Sequence, residues 1–551
     1  MKKLIGLLLF VGLSVSAQSN WGTVHNILST KCQSCHSGAQ PAGGMDLAGS
    51  AAEVYDRLLE EVPENSFAAS RGYRLIDAGY PDRSFIYRKA NGDLYPESEL
   101  EDGEGATMPT QGEALTDAER EILRSWIMHG APETGAPVNV EAINDWYLEG
   151  GLSRIDRPEP PAEGEGFQLY LGTIFLGPGE EVEYIYKYEL RNEQPIEITG
   201  LDVNMNEDSH HFLLFSFDEG ADANEEEGLE EVTLFGGGNA ITTDTKMVGG
   251  WAYSQDVRLP AKVAYNWRAD NVLKFNYHIK NYSTTATMPA EVYINVYTQP
   301  VGTATHEMLT EFQLSNEFLI IPANSERTFT WDLNDFEQAS SNDSIHLWLF
   351  GAHTHQYGTD FNAWQRTPEG NKGEIIYEGT YDIDYTFDTG FYDYSHPPMR
   401  IFESFYSFRE QDGLFVEGDY HNTSNQTVTL GLQTVDEMFG AFMQYIVGDI
   451  SDLLEDSDTI GSGIENSQLA TLQLRPNPTT DLFEITIPEG DLTQLSIYDE
   501  SGRLVYEAEL EVQSLSYQKQ LGAKELGLVP GVYAVLLKGE KSSSATKLMV
   551  K

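Results

Sequence analysis

From Phe167 to about Val447 the chain alternates apolar and polar residues with a period of two, as in Glu181-Val182-Glu183-Tyr184-Ile185-Tyr186-Lys187-Tyr188 and Ala290-Glu291-Val292-Tyr293-Ile294-Asn295-Val296-Tyr297. Such runs, separated by Gly, Asn, Asp and Pro clusters, predict antiparallel strands packed as sandwiches. The block is long enough for two, at 167–304 and 305–450, with the break near Pro300 to His306. Upstream the period changes: Leu115 to Ile127 predicts a helix that stops at Gly130-Ala131-Pro132, within a small all-α domain at 18–135. A Pro-, Glu- and Gly-rich stretch that sets in at Pro132 predicts a linker at 136–166, interrupted by an amphipathic piece around Trp146. At the start, Met1-Lys2-Lys3, the apolar run Leu4 to Val15 and Val15-Ser16-Ala17 predict a signal peptide over 1–17. A polar linker at 451–470 precedes a further alternating module at 471–551, expected to be a small β-sandwich. The expected fold is thus mainly β and multidomain: an all-α head, two tandem antiparallel β-sandwiches and a C-terminal sandwich.

Composition narrows the partners. The 551 residues carry a formal net charge of −53 and a sequence pI near 4.3, which argues against binding nucleic acid or anionic lipid. The acidic run Asp222 to Glu231 is expected to be a solvated loop. After the signal peptide no stretch approaches the ~20 apolar residues a spanning helix needs, so no transmembrane segment is expected in the mature protein.

The chain has two cysteines, both in Cys32-Gln33-Ser34-Cys35-His36, the attachment pattern of a covalent haem c. Both thiols are thereby used, and no disulfide is expected. Met108, in Ala106-Thr107-Met108-Pro109, is the expected second axial ligand, with Met45 as its rival; Met/His ligation suits electron transfer. Histidines supply the other signal. His210-His211 open an apolar strand, His278 follows Val272 to Tyr277, and His353-Thr354-His355 closes Ile345 to Phe350. On a strand, His353 and His355 share a face, whereas His210 and His211 point apart unless the backbone bends or bulges. This spacing suggests two metal sites, His210/His211/His278 and His353/His355 with Met438, and a thioether beside imidazoles favours copper. His421, on a late strand, is read as a half-exposed strand residue, with a partner of a ligand as the alternative. His129, in the last turn of its helix, is placed to interact as a cation with the helix dipole.

Three resemblances follow from these residues. The Cys-x-x-Cys-His-Ser-Gly start, Gly43-Gly44-Met45-Asp46-Leu47, the Met108-Pro109 step and the closing Trp126-Ile127-x-x-Gly130-Ala131 resemble small cytochrome c domains of planctomycete type. The order His-His, His, His-Thr-His, Glu-Met over Phe167 to Val447 resembles the type II copper, ascorbate-dependent monooxygenases, which include peptidylglycine- and dopamine-hydroxylating enzymes. That resemblance implies two copper ions. His210, His211 and His278 would hold the electron-storing one; His353, His355 and Met438 would hold the catalytic one, where O2 and a small organic substrate meet and a C–H bond becomes an alcohol. The expected function is a secreted copper monooxygenase fed by an external electron donor through the haem; a non-enzymatic electron-transfer or copper-binding protein is the alternative. Where the peptide-amidating members grip a carboxylate with Arg, Asn and Tyr, this chain has Gly351, Gly440 and Phe442, which implies a neutral or apolar substrate. Finally, Pro476-Asn477-Pro478-Thr479, Ile497-Tyr498-Asp499, Pro530-Gly531-Val532-Tyr533 and the Lys-x-x-Val-Lys end resemble the type IX secretion sorting domain, implying contact with that secretion machinery and export through periplasm and outer membrane.

Overall fold

Aromatic and β-branched residues at alternate positions pack well on a pleated surface, and the alternating block forms strands throughout. The computed structural model describes residues 19–91, 100–232, 245–315, 319–431, 433–454 and most of 473–551. The signal peptide expected at 1–17, and the part of the linker expected beyond Leu454, lie outside them. The protein is mainly β, about 42% strand and 15% helix, in several sheets.

One nine-stranded sheet runs through both halves of the β body. Its first-half strands are Glu181–Glu189, Ser209–Phe217, Leu229–Glu231, Thr245–Trp251 and Val272–Lys280; its second-half strands are Leu309–Leu314, Ser344–His353, Met399–Arg409 and Gly440–Val447. The halves join in this sheet at a single residue pair, Thr310 opposite Met247. A six-stranded sheet covers the first half and a four-stranded sheet covers the second. The two sandwiches therefore share a layer. Two apolar cores result: Phe212, Leu214, Phe275, Val292 and Ile294 lie in one, and Leu347, Phe350, Phe361, Val416 and Tyr445 in the other. The second half continues past Val447 into the short helix Ser451–Leu454, where Leu453 is buried in the first core and Asp452 pairs with His306 at 2.7 Å. The linker expected from 451 thus begins with ordered, packed residues.

The head is helical. Asn20–Lys31, capped by Ser19, crosses Asp117–Met128, capped by a Thr116/Glu119 capping box, and the Trp21 and Trp126 rings stack at 5.2 Å. The amphipathic piece around Trp146 is the helix Val140–Glu149, whose Ala142 and Ile143 join the head core, so the first part of the expected linker belongs to the head.

The head docks on the first half through buried charge. Arg124 holds Glu121 and donates to the Gly172 and Thr173 carbonyls; Arg154 lies 3.6 Å from Glu121 and 3.3 Å from Glu291. Tyr170 and Thr173 complete the Glu291 shell at 2.9 and 2.8 Å. The acidic run expected to be a solvated loop is instead a strap at this junction. Glu227 pairs with Lys187 at 2.6 Å and accepts from the Tyr80 hydroxyl, and Glu225 faces the buried Lys274 at 3.6 Å. Its Gly228 lies so close to the Gly130 backbone that a Cβ there would sit 2.4 Å from the Gly130 nitrogen. Two desolvated lysines, each costly alone, explain why the acids are drawn in.

A candidate metal centre

The five predicted histidines come together. His210 and His278 ring centroids lie 5.0 Å apart, His211 and His278 5.3 Å, His210 and His353 5.0 Å, and His210 and His355 4.8 Å. Spacing along the chain suggested two separate sites. The structure instead places one ligating nitrogen from each of His210, His211 and His278 within 4.8 Å of one another, and likewise for His210, His353 and His355, so His210 belongs to both triads. Curvature is the reason. Four strand-to-strand steps separate Ser344–His353 from Ser209–Phe217, roughly 19 Å in a flat sheet at ~4.8 Å per step. Rings 5 Å apart require the sheet to fold back on itself, and the single-pair joint at Thr310/Met247 is where it is least tied.

Local backbone irregularities aim the rings. The register between Ser209–Phe217 and Val272–Lys280 shifts between Ser209 and His211, a bulge at His210 that turns two consecutive side chains toward one place. His211 then stands opposite His278. His353 and His355 were expected to share a strand face, but the strand ends at His353 and a turn delivers His355. The Thr354 side chain is buried, donating to the Tyr392 hydroxyl at 3.2 Å, while the His355 backbone N–H donates to the Glu437 carboxylate.

Carboxylates set the tautomers. His278 Nε2 donates to Glu181 Oε1 at 2.9 Å, and His211 Nε2 donates to Asn276 Oδ1 at 3.0 Å, with Asn276 in turn donating to Glu183 at 2.9 Å. A neutral ring that donates through Nε2 presents its Nδ1 lone pair, and both Nδ1 atoms are buried with no hydrogen-bond partner. His210 Nε2, His353 Nε2 and both His355 nitrogens are also buried and unpartnered. Buried polar atoms without partners cost about 1–3 kcal/mol each, and a cluster of imidazole lone pairs is suited to a soft or borderline cation. Burial, with the neighbouring imidazoles, holds His210 and His353 well below their ordinary range and His355 down to about 3, so all three are neutral and free to ligate at neutral pH.

Met438 is buried beside this turn: its N–H donates to Glu437 at 2.9 Å and its carbonyl accepts from the Tyr420 hydroxyl. Burial pushes the Glu437 carboxyl up to about 7 against the pull of the backbone N–H groups of His355, Met438 and Tyr357. Phe312 sits edge-on to His353 at 5.3 Å. At the three positions where a carboxylate grip was sought, a Cβ on Gly351 would meet Met399 Sδ at 2.3 Å, one on Gly440 would meet Phe312 at 2.9 Å, and Phe442 is buried in the first core.

In the head, Cys32 caps the helix Asn20–Lys31, and Cys35 and His36 follow in a turn with both N–H groups bonded to the Cys32 carbonyl. Cys35 is exposed and Cys32 partly buried, its thiol pushed up to about 11 by burial and by Cys35 and Glu119. His36 Nδ1 and His25 Nε2 are buried without partners. Met108 is 37% exposed, with its N–H on the Lys89 carbonyl, whereas Met45 packs partly buried against the head core. His129 is no cation: burial, with Arg124 nearby, holds it down to about 4 while Nδ1 bonds the Ser125 carbonyl. His421 is exposed on its strand.

Glu181, Asn276, Glu183 and Thr434 were not singled out in the sequence, and Glu437 entered there only as the neighbour of Met438 in the Glu-Met step. The signal for two of them was present, since Glu181 and Glu183 put two acids on one face of a strand otherwise rich in aromatics.

Residues 473–551 match the secretion system C-terminal sorting domain. This type IX sorting domain indicates export to the cell surface or secretion. In the described part of it, three- and four-stranded sheets enclose a separate core of Phe483, Ile485, Leu495, Ile497, Val535 and Leu537. No curated protein matches the chain. Among solved structures it is similar to the major capsid protein P2 of bacteriophage PM2, at 10% identity over 52% of this chain and 99% of that one, TM-score 0.21. It is also similar to a Parabacteroides merdae β-glucuronidase, at 8% identity over 41% and 28%, TM-score 0.13. The CBM51-2 and INT domains of Clostridium perfringens ZmpB are similar at 9% identity over 46% and 79%, TM-score 0.11. With TM-scores this low, none of these likenesses bears on the fold or the site. No helix among the described residues is long and apolar enough to cross a membrane.

Proposed function

We propose that this exported protein is a copper monooxygenase that hydroxylates a C–H bond of a neutral organic substrate with O2, its electrons entering from an external donor through a haem c in the head. The observation that carries the reading is the pair of imidazole triads with buried, unpartnered nitrogens, reached from residues in the family's order. His210, His211 and His278 would hold one copper; His353, His355 and Met438 would hold the other. Copper bound there would supply one-electron storage and O2 activation. Glu181 and the Asn276–Glu183 pair keep Nδ1 of His278 and His211 free to ligate, as partners of metal-bound histidines commonly do. Phe312 packs edge-on against the His353 ring. Gly351 and Gly440 offer no group to a carboxylate, and a side chain at either would crowd Met399 or Phe312, in keeping with a neutral substrate. In the head, Cys32, Cys35 and His36 would hold the haem, with Met108 as sixth ligand.

A second reading, a non-enzymatic copper-binding or electron-transfer protein, is favoured by the closeness of the five rings, which leaves little space for a substrate between the triads. Oxygen uptake separates the two. Copper- and haem-loaded protein with a chemical reductant and a panel of small neutral substrates is expected to consume O2 and form an alcohol, and Met438→Ala to do neither. Copper uptake with no substrate-dependent oxygen consumption by the wild type would sink the enzyme reading in favour of the second.

A further inference from the structure

We infer that Glu181 is a positioning residue that latches the two halves of the histidine cluster together. One oxygen carries the latch. Glu181 Oε1 accepts from His278 Nε2 at 2.9 Å, from the Thr434 backbone N–H at 2.9 Å and from the Thr434 hydroxyl at 2.7 Å. The other oxygen accepts from Lys280 Nζ at 3.1 Å. Glu181 begins a strand of the first half, whereas Thr434 lies in the second, 253 residues along the chain. Thr434 is itself only 3% exposed, so its N–H and hydroxyl have little access to water if the contact breaks.

Four residues after Thr434 stands Met438, and between them Glu437 grips the backbone N–H groups of His355 and Tyr357. The segment 433–438 is thus tied at one end to a first-half histidine through Glu181, and near the other to a second-half histidine through Glu437. The Glu181 tie uses a half-buried carboxylate, whose hydrogen bonds are the stronger kind. In the nine-stranded sheet the halves meet at one residue pair, and away from the histidines they are joined by the pairing of His306–Glu307 with Val263–Trp267 and by a shared apolar core, so the Glu181–Thr434 contact is a tie at the histidine end. With Glu181 in place, the Nδ1 face of His278 and the turn that presents His355 and Met438 keep a fixed separation; without it, the segment 433–438 loses its tie to His278.

The consequence for copper rests on the proposed function, but the latch is a property of the protein alone and is tested as such. In metal-free full-length protein, hydrogen exchange should find the 433–438 amides protected. Glu181→Ala should speed their exchange by about tenfold or more, the effect of losing roughly one charge-assisted hydrogen bond. Glu181→Gln keeps an acceptor oxygen in the same place and should restore protection to within about threefold. Thr434→Val, which loses only the hydroxyl, should fall between and covers the case in which Glu181→Ala does not fold. In copper-loaded protein, the Cu(II) electron paramagnetic resonance spectrum should change in Glu181→Ala and return in Glu181→Gln. Unchanged protection of 433–438 in both Glu181→Ala and Thr434→Val would overturn the latch. Loss of protection in a protein that takes up no copper in its wild-type form would uphold the latch and overturn the copper reading instead.

Discussion

Glu437 is fully buried, and its carboxylate organises the turn that presents His355 and Met438. Oε1 accepts from the backbone N–H groups of His355 and Met438, and Oε2 from that of Tyr357 at 3.0 Å. Glu437→Ala strands all three donors. At about 1–3 kcal/mol for each buried, unsatisfied group the full cost is roughly 3–9 kcal/mol; water entering the vacated space places the expectation at about 3–5 kcal/mol. Glu437→Gln replaces one acceptor oxygen by a donor and should cost only about 1–3 kcal/mol. Measurement at pH 6 isolates these bonds: the carboxyl is pushed up to about 7 and is largely uncharged there, so relief of a buried charge does not mask the loss. The assay is urea unfolding of the metal-free protein, followed by tryptophan fluorescence. Of its eight tryptophans, Trp331 packs against Phe439, two residues from the mutated site. The expected order of stability is wild type, then Gln, then Ala. An alanine variant within about 1 kcal/mol of wild type would refute the view that this carboxylate holds the turn.

Arg124→Met should destabilise the docked head by about 3–5 kcal/mol in thermal or urea unfolding, because it leaves Glu121 buried with the Ser125 hydroxyl at 3.4 Å and Arg154 at 3.6 Å as its partners; adding Glu121→Leu should recover part of the loss. His129 binds its proton less readily in the folded protein than in the unfolded chain. Its contribution is therefore complete above about pH 6.5 and is lost as pH falls toward 4, at most about 3 kcal/mol, so His129→Gln should flatten the melting temperature between pH 7 and 4.5. Removing 473–551 should leave the melting transition of the β body unchanged, since that module has its own core, and should keep the protein from reaching the cell surface in a fractionation assay.

The alternating pattern between Phe167 and Val447 was enough to foretell a mainly β body, because period-two burial is a local property of each strand. The helix ending at Gly130 was legible from its apolar period and stop residues, and the sorting module from short motifs spaced within one small domain. Candidate ligands could be named for the same reason: imidazoles and a thioether have a chemistry that does not depend on context.

What surrounds them depends on the fold. Whether His210 and His211 could converge turned on a bulge that exists only because Ser209–Phe217 pairs with Val272–Lys280 in a shifted register. His355 joined His353 through a turn held by Glu437, a residue 82 positions away, where strand periodicity alone would have used the pleat. Glu181 is one acid among the 87 Asp and Glu residues of the sequence, and only packing reveals that it faces His278 and Thr434 together. The acidic run from Asp222 looked solvated because its partners, Lys187 and Lys274, lie on strands that folding brings beside it. Residue types and local periods are encoded in neighbouring positions and can be read there. The close approach of two expected ligand sets, with His210 shared between two triads, came from the curl of a sheet shared by both halves, which arises from pairings between distant strands and belongs to the tertiary structure alone.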